Sequence, residues 1–158
     1  MSEYDFKLES DWRLPYSCAH VWAALREPTQ WPLWWHEVEQ ATQIAEGDSD
    51  GIGNQYSLCW TSPTLYRVRF VSTVTAVETE RRIVAAIDGD LCGRGEWQLQ
   101  PDGAATRVRY VWQVRVTQRW MRLTLPLLRG LFVWNHNRVM ALGEAGLHAY
   151  LAGQNRHE

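Results

Sequence analysis

The sequence has no excess of positive charge and very little cysteine. Its 158 residues carry a net charge of −2, whereas a dedicated nucleic-acid-binding domain is normally clearly basic. We therefore expect no nucleic-acid partner. The three cysteines, Cys18, Cys59 and Cys92, are odd in number and contain no Cys-x-x-Cys pair. This usage is typical of reduced thiols and predicts a cytoplasmic protein.

Long apolar runs are missing as well. No stretch of about 18 apolar residues occurs, which predicts that no segment spans a membrane. The first five residues, Met-Ser-Glu-Tyr-Asp, are acidic, whereas a secretory signal peptide would be basic and then apolar. Because neither a repeat nor a low-complexity linker divides the chain, we predict a single domain over 1–158.

Motifs of common metal sites and enzymes are also absent. Asp48-Ser49-Asp50-Gly51 resembles the start of a calcium loop, but the next ligand position is Ile52 and no glutamate closes the loop. Gly93-Arg94-Gly95 lacks the third glycine of a dinucleotide fingerprint. There is no Gly-x-Ser-x-Gly or His-Glu-x-x-His motif, and the five histidines do not have metal-ligand spacing. We predict no metal and no cofactor.

The most prominent features of the sequence are its tryptophans and the segments in which apolar and polar residues alternate. The chain has ten tryptophans, and apolar and polar residues alternate from Thr106 to Thr117. A period of two predicts a strand with one dry and one wet face, and the dry face includes Tyr110 and Trp112. Similar patterns, separated by turn signals, predict strands over 5–14, 36–45, 54–61, 65–77, 81–87 and 91–100. Short helices are predicted over 18–26 and 31–35, so the order indicates an antiparallel α+β domain.

A long helix is predicted at the C-terminus, where Pro126 either kinks it or starts its main section. Residues placed at about 100° intervals give one broad buried face. That face comprises Leu128, Leu131, Asn135, Val139, Leu142, Gly146 and Ala149. Asn135 falls at its centre and His136 towards its edge. Since unpaired burial of a polar group costs on the order of 1–3 kcal/mol, either these side chains bond to nearby carbonyls or they bond to a molecule in a cavity.

Three runs carry a resemblance to a known family. They are Gly89-Asp90-Leu91-Cys92-Gly93-Arg94-Gly95-Glu96-Trp97, Thr106-Arg107-Val108-Arg109-Tyr110-Val111-Trp112, and Trp134-Asn135-His136 followed by Val139-Met140. With the order of elements, they make the chain similar to polyketide cyclase/dehydrase-like proteins of the START-like (SRPBCC) superfamily. The resemblance implies the helix-grip fold, a curved seven-stranded antiparallel sheet around a long C-terminal helix with two short helices after the first strand. It also implies a ligand cavity between sheet and helix.

Our leading hypothesis is that the chain binds a hydrophobic, ring-containing small molecule, because aromatic walls supply affinity and a few polar groups orient the ligand. The predicted lining residues are Trp35, Tyr56, Trp60, Tyr66, Phe70, Trp97, Tyr110, Trp112, Phe132, Asn135 and His136. One alternative is a polyketide cyclase or dehydratase, with His136 as general acid/base and Tyr66 or Tyr110 polarising a carbonyl.

Another alternative is a module that binds a partner or a membrane surface. Outward-facing arginines on the predicted strands would form one such surface: Arg67, Arg69, Arg94, Arg107, Arg109 and Arg115. The second candidate surface is the basic, amphipathic segment 119–129.

Overall fold

A seven-stranded sheet and one long helix form most of the fold in the computed structural model, which describes residues 5–62 and 67–156. The elements are β1 (Phe6–Leu14), α1 (Cys18–Leu25), a 3₁₀ helix (Pro28–Leu33), β2 (Val38–Ala45), β3 (Gln55–Thr61), β4 (Arg67–Glu78), β5 (Arg82–Gly89), β6 (Leu91–Asp102), β7 (Ala105–Val116) and α2 (Arg119–Asn155). Ser17 caps α1, since its side chain accepts a hydrogen bond from the His20 N–H.

The strand order in the sheet is β1-β7-β6-β5-β4-β3-β2, and every neighbouring pair is antiparallel. Register shifts in the β2–β3 and β4–β5 pairs mark bulges, which bend and twist a sheet. The two short helices connect the two edge strands and the long helix follows the last strand. The predicted helix-grip fold is therefore confirmed.

The long helix is continuous from Arg119 to Asn155 and includes Pro126. It therefore starts before the proline, which rules out the prediction that its main section begins there. The predicted buried face is displaced, because Leu131, Leu142 and Ala149 are exposed. The face that is buried comprises Met121, Phe132, Asn135, Met140, Gly143, Leu147 and Leu151. Apolar residues occur on both sides of α2, so their spacing alone did not determine the helix's rotation.

Two glycines let α2 approach the segment that follows the 3₁₀ helix. A Cβ on Gly146 would lie 1.8 Å from the backbone oxygen of Trp34, and one on Gly143 would lie 2.4 Å from Cε2 of Trp35. The Trp35 Nε1–H also donates a 3.0 Å hydrogen bond to the carbonyl oxygen of Val139. The C-terminal half of the helix therefore packs closely against Trp34 and Trp35.

Six of the ten tryptophans form one cluster of ring contacts. The cluster contains Trp12, Trp31, Trp34, Trp35, Trp60 and Trp97. Trp35 is at its centre, with its ring stacked on Trp34 at 5.4 Å and edge-on to Trp60 at 4.7 Å. Such offset and edge-to-face pairs are the favoured aromatic geometries. The cluster links β1, β3, β6 and the segment around the 3₁₀ helix through ring contacts.

Candidate functional site

A cavity lies between the inner face of the sheet and the N-terminal half of α2. Its volume, measured as the space open to the centre of a water-sized sphere, is about 100 Å³. One buried water needs only about 10–15 Å³ when the volume is measured in the same way. Most of its wall is aliphatic or aromatic: Phe6, Leu8, Trp31, Val68, Leu91, Val114, Val116, Met121, Val139 and Met140 contribute to it. The space therefore suits an apolar molecule.

Nine of the eleven residues predicted to bind a ligand line this cavity. They are Trp35, Trp60, Phe70, Trp97, Tyr110, Trp112, Phe132, Asn135 and His136. Tyr56 is buried but does not line it, and its hydroxyl accepts a hydrogen bond from Asn54 Nδ2 at 3.2 Å. Tyr66 lies outside the described residues. Sequence reasoning missed Phe6 and Leu8, although their alternation with Trp12 on β1 placed them on the same dry face.

His136 is the most unusual polar group in the wall. Its ring stacks on Trp112, with centroids 5.0 Å apart and planes 13° from parallel. Both ring nitrogens are buried, and neither has a hydrogen-bond partner among the described residues. Burial lowers the pKa of His136 to about 4; Asn137 opposes this shift, but its amide does not reach either nitrogen in hydrogen-bond geometry. The neutral ring therefore presents one donor and one acceptor.

The other polar groups of the wall differ in whether they have partners. Asn135 Oδ1 accepts a 2.7 Å hydrogen bond from the Ser62 hydroxyl, so this amide ties α2 to the loop after β3. The Trp60 Nε1–H is buried without a partner in the described part of the chain. Tyr110 lies against Gly95, where a Cβ would be 2.6 Å from the phenolic oxygen, and burial raises the pKa of this tyrosine. His136 and Trp60 thus have unused hydrogen-bonding capacity.

Metal binding has no support in this geometry. Within residues 5–62 and 67–156, no group of three or more His, Cys, Asp or Glu side chains is placed to hold a metal ion. Among the described residues that line the cavity, His136 and Tyr110 are the side chains that titrate. None of the described helices is both long and apolar enough to cross a bilayer.

The lowered pKa of His136 predicts an acid-sensitive fold. Between about pH 6.5 and pH 4 the His136 ring is protonated in the unfolded chain but stays neutral in the native protein. The contribution of His136 to the free energy of unfolding is therefore fully present above pH 6.5 and is lost as the pH falls. We expect the free energy of unfolding to be about 2 kcal/mol lower at about pH 5 than at about pH 7.5. Tyr110 stays protonated throughout this range and does not contribute.

Denaturant unfolding of the wild type and of His136→Phe at both pH values measures this effect. The variant keeps a flat ring beside Trp112 but cannot be protonated, and all other titrating groups are common to both proteins. If the free energy of unfolding falls by the same amount between the two pH values in both proteins, His136 is not the cause of the acid sensitivity.

Comparison with known proteins agrees with this architecture. A family model described as "Polyketide cyclase / dehydrase and lipid transport" matches residues 5–141. No curated protein matches the chain at the sequence level.

Several solved structures share the fold at low sequence identity. A START superfamily protein from Mycobacterium smegmatis has a TM-score of 0.76 at 12% identity, covering 94% of this chain and 98% of its own. An aromatase/cyclase from Streptomyces has a TM-score of 0.73 at 13% identity, covering 93% of each chain. A Thermus thermophilus protein has a TM-score of 0.73 at 18% identity, covering 92% of this chain and 99% of its own. At these identities the likeness is one of fold.

Proposed function

Since the chain belongs to the polyketide cyclase / dehydrase and lipid transport family, we propose that it binds a hydrophobic, ring-containing small molecule between the sheet and α2. The aromatic wall supports this proposal, because rings bury large apolar areas and favour stacked or edge-on contact with other rings. Trp97, Trp112 and Phe132 supply such surfaces from three different elements.

The observation that carries the proposal is the unpaired state of His136. A buried polar group without a partner costs on the order of 1–3 kcal/mol, and both nitrogens of the His136 ring lie on a cavity wall without a hydrogen-bond partner among the described residues. Trp60 adds a third nitrogen, and a second donor, without a partner among the described residues on the same wall. Within residues 5–62 and 67–156, the buried indole N–H groups of Trp12, Trp22 and Trp34 also have no partner, but those residues do not line this cavity.

These groups indicate the chemistry of the ligand. An N–H of the Trp60 indole and one of the neutral His136 imidazole both donate to a carbonyl or hydroxyl oxygen. A flat ring that bears such an oxygen would fill the apolar space and satisfy groups that are otherwise unpaired. A hydrocarbon of the same shape would leave them unpaired, so oxygenated rings are the preferred class.

Dimethylnaphthoquinone tests this preference against dimethylnaphthalene, which has the same rings but no carbonyl. The quinone's substituted alkene cannot alkylate Cys18, Cys59 or Cys92, which are free thiols. We expect saturable quenching of tryptophan fluorescence by the quinone and an affinity about 5- to 100-fold above that of the hydrocarbon. Binding should also raise the melting temperature, since a ligand selective for the native state stabilises it.

Variants on the two unpaired residues provide the control. His136→Phe and Trp60→Phe keep apolar rings in place but remove the donors, so the quinone should lose most of its advantage while the hydrocarbon binds as before. Native mass spectrometry of protein purified without added ligand identifies any molecule that is retained. If neither compound changes emission or melting temperature and no small molecule co-purifies, the binding proposal fails.

A second candidate function is catalysis of a cyclisation or dehydration on a polyketide-like chain. It is favoured by one observation: a titratable imidazole with unpaired nitrogens lines the cavity. Against it, the pKa of about 4 makes His136 a weak base near neutral pH, and no described carboxylate orients the ring. Incubation with a linear poly-β-ketone tests this candidate, because turnover that His136→Phe abolishes would show catalysis rather than binding alone.

A further inference from the structure

The N-terminal half of α2 carries an exposed apolar stripe that the cavity does not use. This outer stripe consists of Trp120, Leu123, Leu127, Leu131 and Trp134, and all five are exposed. Leu123 and Leu127 are the most exposed, at 80% and 88%. The spacing of three or four residues places them on one side of a helix, and Leu127 lies about 140° around the axis from buried Phe132. Single exposed apolar residues are ordinary, but a contiguous row of them marks an interaction surface.

The helical segment that carries the outer stripe has charge of one sign. Residues 119–143 contain four arginines and no aspartate or glutamate, so this segment carries +4 while the whole chain carries −2. The rest of the chain therefore carries −6. All four arginines are exposed, and within the described residues none forms an ion pair with a carboxylate. A concentrated positive segment on an otherwise acidic protein selects an anionic partner.

Individual arginines are also placed beside apolar groups. Arg138 lies over the ring of Trp134, with its guanidinium carbon 5.7 Å from the centroid. Arg119 immediately precedes Trp120 and lies at the edge of the outer stripe, about 40° around the axis from Leu123. Arg129 is turned to the other side of the helix, where it lies over the Phe6 ring and donates to the Asp5 carbonyl oxygen. Tryptophan and arginine side by side on an apolar helix face are typical of the membrane–water interface, where the ring lies at headgroup level and the cation meets lipid phosphate.

The outer stripe lies on the same stretch of helix as the cavity. Met121, Phe132 and His136 line the cavity from the inner side of α2, whereas Trp120, Leu131 and Trp134 are exposed on its outer side. One helical segment therefore separates the ligand space from the cationic apolar surface.

We propose that the outer stripe docks on the surface of an anionic lipid bilayer. Docking would place the N-terminal half of α2 in the headgroup region, where an apolar ligand exchanges between bilayer and cavity with little exposure to water. The exchange role rests on the function proposed above, but the docking itself does not. A second copy of this chain is a poorer occupant, because two such faces would oppose arginine to arginine with no acidic residue in the segment to neutralise them.

Vesicle flotation tests the docking, with vesicles of pure phosphatidylglycerol and of pure phosphatidylcholine. We expect the wild-type protein to float with the anionic vesicles, to bind the zwitterionic vesicles far more weakly, and to be released by added salt. The variant Leu123→Gln/Leu127→Gln should lose at least about tenfold in affinity, since it removes the two most exposed apolar side chains. Arg119→Gln/Arg122→Gln should lose about fivefold for each arginine.

Matched controls use the same substitutions elsewhere on the surface. Leu33→Gln removes a leucine that is 66% exposed in the 3₁₀ helix, and Arg115→Gln removes an exposed arginine of β7. Neither should change flotation. The proposal is overturned if the wild type ignores anionic vesicles, if it binds both lipids equally, or if the control variants lose as much affinity as the stripe variants.

Light scattering after size exclusion tests the competing occupant. A dimer that Leu123→Gln/Leu127→Gln converts to a monomer, in a protein that does not bind vesicles, would assign the outer stripe to self-association and overturn the proposal. Titration of the same variant with dimethylnaphthoquinone should give the wild-type affinity. Vesicle binding without quinone binding would leave the docking intact and reject the cavity function, and the reverse result would reject the docking alone.

Discussion

Gly146→Ala is expected to lower the free energy of unfolding by at least about 2 kcal/mol. In an exposed helix interior the same change normally stabilises by about 0.5–1 kcal/mol, because alanine loses less backbone entropy on folding. Here the new Cβ would lie 1.8 Å from the Trp34 carbonyl oxygen, which is backbone and does not rotate away. The helix must move outward instead, which strains the hydrogen bond from Trp35 Nε1 to the carbonyl oxygen of Val139, two turns earlier in α2.

The chain provides matched controls on the same helix. A Cβ added to Gly130 or Gly153 would meet nothing within 4 Å, so Gly130→Ala and Gly153→Ala should stabilise by about 0.5–1 kcal/mol. Denaturant unfolding of the three variants with a common slope gives the comparison. Equal stabilisation by all three alanines would mean that α2 does not approach Trp34 as closely as the structure has it.

The strands were largely predictable from the sequence because their side chains alternate. Each predicted strand overlaps an observed one, and the hairpin turns at Asp88-Gly89-Asp90 and Asp102-Gly103 fall between the expected partners. Alternation also assigns residues to the inner face, so most of the aromatic lining could be predicted without coordinates. Alternation does not predict how far along a strand the cavity extends. Tyr56 shares a face with Trp60, yet of these two only Trp60 lines the cavity.

The rotation of α2 could not be predicted, for a physical reason. Leucines and tryptophans occupy both its inner and its outer side, so two apolar faces compete for the same periodic signal. Asn135 was placed in the buried face correctly, but Leu131 and Leu142 were not. One of these two, Leu131, belongs to the outer stripe that we propose docks on lipid, as expected where a sequence departs from a simple folding pattern for a function.

Which polar groups form hydrogen bonds with each other also depends on tertiary structure. Sequence reasoning left the same two interpretations open for Asn135 and His136, packing or ligand contact. The fold distinguishes the two side chains, because the Ser62 hydroxyl donates to Asn135 while no described group forms a hydrogen bond with either His136 nitrogen. Contacts between residues so far apart in the chain follow from strand register and helix position, which periodicity does not encode.

Filling the cavity should abolish ligand binding without unfolding the protein. Val139 lines the cavity from α2 and is partly buried, so Val139→Trp would place an indole in the space of about 100 Å³. Loss of only about 100 Å² of ligand contact already costs about 2.5 kcal/mol, close to a hundredfold in affinity, so a ligand displaced from most of the cavity no longer binds measurably. The backbone carbonyl that accepts from Trp35 is unchanged, and filled cavities commonly stabilise by about 0.5–2 kcal/mol.

The control is Leu142→Trp, which adds the same side chain to an exposed position of the same helix. We expect Leu142→Trp to bind dimethylnaphthoquinone with wild-type affinity, while Val139→Trp shows no saturable binding and an unchanged or higher melting temperature. The two readouts together separate occlusion of the cavity from damage to the fold, since a damaged protein would melt earlier. Wild-type affinity in Val139→Trp would place the ligand somewhere other than between the sheet and α2, because a ring and an added indole cannot share that volume.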